Sequence, residues 1–199
     1  MTMMRKSSIV CALVSALVVV GSSVLNCAQP AQVETISAHL TLEQSAVYRA
    51  FFADYYRAST RREPIYVSEF TEILQPDDGD YNGCMGGFPQ VPPANLIHHL
   101  TEDFARQNHV QIVDPKLHKV RDPGDGMRNG LSVQSAVESG FRSGLLTISE
   151  VIFDASHRRA ALHYSFHCGE LCGHTETVVY EKRHGVWKPS KRSCGYGIS

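Results

Sequence analysis

Nowhere does this chain carry the run of lysine and arginine that meets a phosphate backbone, and its 19 basic residues are matched by 20 acidic ones. A formal net charge of −1 argues against nucleic acid as a partner and against electrostatic attachment to a membrane, since both require concentrated positive charge. The nearest approaches, Lys182-Arg183-His184 and residues 188–192, are interrupted by Gly185 and Trp187, the latter being the single tryptophan. Also missing are a Gly-rich phosphate loop, a nucleophile elbow and a zinc-protease helix motif. The motifs therefore point to no catalytic residue and no cofactor. Nor is there a bilayer-spanning segment: the apolar run at residues 9–20 has about 12 members, against the roughly 20 that a spanning helix needs.

What that short run does fit is a secretion signal. Arg5 and Lys6 supply the basic region, residues 9–20 the apolar one, and Gly21-Ser22-Ser23 a small-residue exit. Residues 1–26 are thus expected to be a signal peptide, residues 27–40 a polar tether, and residues 41–199 a single domain. With 43% hydrophobic and 20% charged residues the composition is that of an ordinary globular chain. Val24-Leu25-Asn26-Cys27 has the form of a lipoprotein signal, although Asn26 stands where a small residue is usual. A lipid on Cys27 would anchor the protein to a membrane surface without a spanning helix, and it is the one membrane attachment expected. The expected location is outside the cytoplasm: periplasm, outer envelope or medium.

Export decides what the cysteines do. Cys11 leaves with the signal and Cys27 is lipidated or removed, so Cys84, Cys168, Cys172 and Cys194 remain in the folded part. In an oxidising compartment such an even set forms disulfides, and the expected pairing is Cys168 with Cys172 and Cys84 with Cys194. By chain entropy the short loop contributes about 2 kcal/mol and the long one nearly 5.

Thr41 followed by Gln44 is a capping-box pattern, and Leu40, Val47, Phe51 and Tyr55 recur at near-helical spacing, which predicts a helix over 42–58. Residues 65–74 read as a strand, 75–93 as a loop, 96–107 as a short second helix and 110–113 as a strand. Residues 114–130 read as irregular, and 132–143 as a helix stopped by Gly144. In the last third, Ala160, Leu162, Tyr164 and Phe166 alternate with Ala161, His163, Ser165 and His167, the period of a strand with one apolar and one polar face. Strands over 146–153, 160–167, 175–182 and 186–194 complete the pattern. The expected fold class is α+β: N-terminal helices packed on a C-terminal four-stranded antiparallel meander, cystatin-like in arrangement.

The run Tyr164-Ser165-Phe166-His167-Cys168-Gly169-Glu170-Leu171-Cys172-Gly173-His174 is followed by Tyr180-Glu181-Lys182 and Gly185-Val186-Trp187-Lys188. It resembles a group of uncharacterised exported proteins of soil bacteria such as acidobacteria, in which a Cys-Gly-x-Leu-Cys-Gly hairpin precedes a Glu-Lys and Gly-x-Trp-Lys strand pair. The stretch from Asp114-Pro115 to Asp122-Pro123-Gly124 is similar too, and the resemblance covers about the last 90 residues. Where the group often ends in Trp-Ile-Ser, this chain has Tyr196-Gly197-Ile198-Ser199. The resemblance implies export and the hairpin, and no activity.

Three constellations could carry chemistry. Asp78, Asp80 and Asn82 present alternate oxygen ligands like the opening of a calcium loop, but Pro89 stands where the closing Glu belongs. His163, His167, Cys168, Cys172 and His174 offer zinc-type ligands. His163 and His167, four apart on a strand and so roughly 13 Å distant, cannot share an ion, and the cysteines would have to be reduced. Cys84 with His98 or His99 would make a thiolate nucleophile only if that thiol escaped oxidation. The leading expectation is an exported, non-enzymatic domain that acts through its surface on a partner the sequence does not identify. The alternatives are a small-ligand-binding or enzymatic domain of cystatin-like or nuclear-transport-factor-like shape, with a pocket between sheet and helix, and an extracellular metal-binding protein.

Overall fold

A computed structural model describes residues 35–37, 39–58, 64–74, 80, 83–89, 96–170, 172–191, 194 and 196–198. All lie in the compact unit Gln32–Ser199. The signal peptide, Cys27 and most of the expected tether fall outside the described residues.

The first helix begins where the capping box places it. Gln44 N–H donates to Thr41 Oγ1 at 3.1 Å and Thr41 N–H donates to Gln44 Oε1 at 2.9 Å, which satisfies two donors at the start of α1 (Leu42–Ala58). Its inner face buries Val47, Tyr48, Phe51 and Phe52. A second helix, α2 (Glu102–Asn108), starts only at residue 102 because Thr101 is the cap, its Oγ1 accepting from Phe104 N–H at 3.3 Å. The residues before it do not extend the helix as expected over 96–107. They form β3 (Leu96–His98), which pairs in parallel with β1 (Thr35–Ser37), so a strand lies inside the expected tether. In the stretch read as irregular, Asp122 caps a short α3 (Pro123–Arg128) with proline in its first turn, where the missing N–H costs nothing. Ser132 caps α4 (Val133–Ser143), which ends at Gly144 as expected.

The sheet corrects the expected four-stranded antiparallel one: it is mixed and has eight strands. At its parallel end β2 (Ile65–Ser68) lies between β4 (Val110–Val113) and β5 (Leu145–Ile148). Antiparallel pairing then runs from β5 to β7 (Arg159–His167) and on to β8 (Gly173–Arg183), with β6 (Ile152–Phe153) also on β7. The far edge of β8 is shared. β9 (Val186–Pro189) pairs with its end at 180–183 and β10 (Tyr196–Ile198) with its start at 174–176, so the single strand expected over 186–194 is two.

The alternation on β7 is as the sequence reads, but the second face is not simply polar. Leu162, Tyr164 and Phe166 join Tyr48, Phe51, Phe52 and Phe104 in the core under α1 and α2. On the opposite face Ala161 and Val179 pack against Leu74, Met85, Phe88 and Ile152. The loop at 83–89 covers that face and is tied to the C-terminal segment by Cys84–Cys194, while Arg159 donates to the carbonyls of Gly86 (2.6 Å) and Cys84 (2.5 Å). The second disulfide, Cys168–Cys172, closes the turn between β7 and β8. Among the described residues no helix is long and apolar enough to cross a membrane.

Candidate functional site

The split edge of β8 opens a cavity beneath α1. Among the described residues Thr177, Val178 and Val179 pair with neither β9 nor β10, and one hydrogen bond, Ser190 N–H to Val179 C=O at 2.7 Å, bridges the gap. Above that gap stand the last turns of α1. A cavity of about 480 Å³ opens between them, within the range of small-ligand pockets. α1 brings Phe51, Asp54 and Tyr55 to it, β7 brings Tyr164, and β8 brings Glu176 and Tyr180.

Its wall is aromatic and rigid. Tyr164 meets Phe51 at 5.2 Å and Tyr55 at 5.7 Å between ring centroids, the latter edge to face at 87°. The Tyr164 hydroxyl donates to Glu176 Oε2 at 2.9 Å and lies 2.9 Å from His174 Nε2. Burial, then the hydrogen bond and charge of Glu176, push the Tyr164 hydroxyl well above the usual phenol range, so it stays protonated and fixes the carboxylate. Tyr180 is raised likewise, by burial first and then by the charge of Asp54. Asp54 accepts from Arg57 at 2.7 Å. The cavity lining thus offers π faces, the Asp54 and Glu176 carboxylates, the Lys191 ammonium and the protonated Tyr164 hydroxyl.

A second polar cluster, invisible in the sequence, ties the layers together. Glu150 Oε1 accepts from the His98 backbone N–H (3.0 Å) and from Thr71 Oγ1, and lies 2.8 Å from His98 Nδ1. Gln44 of α1 reaches Glu150 Oε2 at 3.4 Å, and Tyr48 donates to Ser149 C=O at 2.8 Å. Burial, reinforced by the Glu150 charge, holds the Tyr48 hydroxyl well above its ordinary value. The His98 and Glu150 side chains are 3% and 13% exposed, so this is an interior clamp. Glu150 follows a strand and has no spacing signature, which is why pattern alone misses it.

The sequence-level candidates fare differently. Of Asp78, Asp80 and Asn82, only Asp80 is among the described residues. Its carboxylate accepts from Thr177 Oγ1 at 3.4 Å, and one of its oxygens and the sulfurs of Cys84 and Cys194 lie within 4.8 Å of one another. The zinc grouping is dissolved by oxidation, because Cys168 and Cys172 are bonded to each other. His163 faces Thr177 at 3.1 Å, while His174 lies beside Tyr164 and Glu176. Cys84 is no nucleophile for His98 or His99, since its sulfur is bonded to Cys194. The two expected disulfides are thus the two observed.

No family model, no curated protein and no solved structure matches the chain.

Proposed function

We propose that this is an exported small-ligand-binding domain whose site is the cavity between α1 and the edge of β8, and that its ligand carries an amino group. The observation that carries this is the convergence of Asp54 and Glu176 with Phe51, Tyr55, Tyr164 and Tyr180 around one 480 Å³ space. Aromatic faces attract an ammonium through their quadrupole, by about 0.5–2 kcal/mol each way it is met, and a carboxylate completes the recognition. A helix laid over an open sheet with a cavity beneath it is an architecture that can house a small ligand. Two oxidised cysteine pairs support a compartment outside the cytoplasm.

The test is calorimetric titration of the purified protein with a panel of aryl- and alkylamines, each paired with its neutral alcohol. At least one amine is expected to saturate a single site, with affinity lowered about tenfold in Glu176→Gln and in the matching alcohol. Absence of saturable binding across the panel, or equal affinity for amine and alcohol, overturns the proposal.

A second reading, metal binding, is favoured by the gathering of Asp80 with the sulfurs of Cys84 and Cys194. Both sulfurs are held in the disulfide, so an ion would need a dithiol reductant first, which itself becomes a disulfide as the protein pair becomes two thiolate ligands. Elemental analysis after dialysis against zinc, with and without dithiothreitol, decides it. Stoichiometric metal that appears only with dithiothreitol supports the reading, and none under both conditions, or the same amount without the reductant, excludes it.

A further inference from the structure

Basic residues that are scattered in the sequence meet in one place in the fold. Arg49 and Arg57 project from α1, while Arg183, Lys188 and Lys191 come from the β8–β9 hairpin and the segment after it. Together they line a groove of about 690 Å³ in which, among the described residues, Asp54 is the one carboxylate. A groove lining with five cations and one anion, in a chain of net charge −1, is a strong local asymmetry. Arg57 is held by Asp54 and Arg183 by Glu181, but among the described residues Arg49, Lys188 and Lys191 have no ion-pair partner.

Between these cations the surface is apolar. Val186, 56% exposed, and Pro189 lie in the groove beside Trp187, whose ring is buried to 6% exposure. Lys182 Nζ sits 5.3 Å over that ring and is anchored by Glu43 at 2.7 Å, so the indole is held in place. A compact inorganic anion would use the charges and leave the floor wet. A neutral apolar molecule would use the floor and leave three cations unmatched.

We propose that this groove binds an anionic amphiphile, a molecule with an aliphatic body and a phosphate, sulfate or carboxylate head, whose head pairs with Arg49, Lys188 and Lys191 while its body covers Val186, Trp187 and Pro189. The groove adjoins the amine-binding cavity and shares Asp54, Pro189 and Lys191 with it, whereas Arg49, Val186, Trp187 and Lys188 line the groove and not the cavity. The same chemistry is offered by a free acyl or alkyl anion and by an anionic lipid within a bilayer, and the two sources separate experimentally.

Trp187 is the sole tryptophan, so its fluorescence reports this groove without a label. The purified protein is titrated with monomeric decyl phosphate, with inorganic phosphate, with decanol, and with vesicles of phosphatidylcholine alone or mixed with phosphatidylglycerol. A saturable change with decyl phosphate or with the mixed vesicles is expected, identifying a free or a membrane source respectively. Phosphate and decanol are expected to bind roughly tenfold or more weakly. The exposed triple variant Arg49→Glu/Lys188→Glu/Lys191→Glu, checked for an unchanged melting temperature, is expected to lose at least about tenfold in affinity. Glu176→Gln is expected to leave this response unchanged, which separates it from the amine site. The proposal is overturned if neither decyl phosphate nor mixed vesicles alters Trp187, if inorganic phosphate does as well as decyl phosphate, or if the charge-reversed variant binds equally.

Discussion

Replacing both Cys84 and Cys194 by alanine is expected to cost far more than the same change at Cys168 and Cys172, although Cys168 is as buried as Cys84. The first pair closes a separation of 110 residues and the second a separation of 4. In the chain-entropy account these restrict the unfolded state by nearly 5 and about 2 kcal/mol. The native state widens the gap. Cys84–Cys194 pins the loop at 83–89 over Ala161 and Val179, so cutting it also loosens the seats of Met85 and Phe88, which are 0% and 6% exposed. Domains of this size hold about 5–15 kcal/mol in total, so the long staple is a third or more of the margin. The assay is urea unfolding of the two double variants and the parent, followed by circular dichroism. With a slope of about 2 kcal/mol/M, the midpoint is expected to fall by about 2 M or more for the Cys84/Cys194 variant and by about 1 M for the other. Equal shifts, or a larger one for the short loop, would refute the assignment of the long staple as the main brace.

Two further outcomes follow from buried polar groups. Glu150→Ala strips acceptors from Thr71 and His98 in a nearly dry setting and is expected to destabilise the fold by about 2–4 kcal/mol. Glu150→Gln should restore part of that loss in the same urea assay, and a cost below about 1 kcal/mol for the alanine variant contradicts the clamp. Tyr48, Tyr164 and Tyr180 all have raised pKa values, with burial the first cause in each. The native state therefore keeps phenolic protons that the unfolded chain releases, so their stabilisation is complete below about pH 10 and declines as the pH rises beyond it. In a spectrophotometric titration these three of the 8 tyrosines should ionise together with alkaline unfolding, and stepwise ionisation of all 8 in a folded protein would contradict their burial.

How legible these features are depends on how local their causes are. α1 and α4 carry caps and stop signals within their own residues, and β7 shows its period because one face stays apolar along nine residues. The strands β2 and β4 fall within the stretches read as strands, 65–74 and 110–113, but their parallel pairing is made with segments tens of residues away, so local composition announces the strands and not the mixed sheet they build. The same holds at the sites. A broken basic stretch at 182–192 is unremarkable until α1 sets Arg49 and Arg57 beside it. Glu176 and Asp54 are ordinary surface acids in sequence and come to line one cavity only because the β8 edge opens beneath the helix. That Cys84, Cys168, Cys172 and Cys194 are oxidised is legible from their even number, but parity leaves three pairings open and the fold decides among them.

The two stretches on which the resemblance to exported soil-bacterial proteins rests turn out to touch. Gly169, inside the Cys-Gly-x-Leu-Cys-Gly hairpin, has φ +135°, and a Cβ there would come within 2.4 Å of Asp122 Oδ2 and 2.6 Å of Pro123 Cδ. Asp122 accepts from Glu170 N–H at 2.6 Å with one oxygen and from Asp125 N–H at 3.0 Å with the other, so it caps α3 and grips the hairpin at once. Those backbone hydrogen bonds hold its carboxyl below the usual range, which keeps the acceptor charged. On the other side Gly140 of α4 lets Pro123 and the Cys168 carbonyl approach to 2.7 and 2.9 Å of where its Cβ would stand. The hairpin, its disulfide and the Asp-Pro-Gly turn are therefore one joint that seats α3 and α4 on the end of the sheet. Packing and hydrogen bonding account for Gly169, Asp122 and Gly140, which is a reason to look for recognition elsewhere, in the cavity under α1 and in the cationic groove beside it, where among the described residues Arg49, Lys188 and Lys191 have no ion-pair partner.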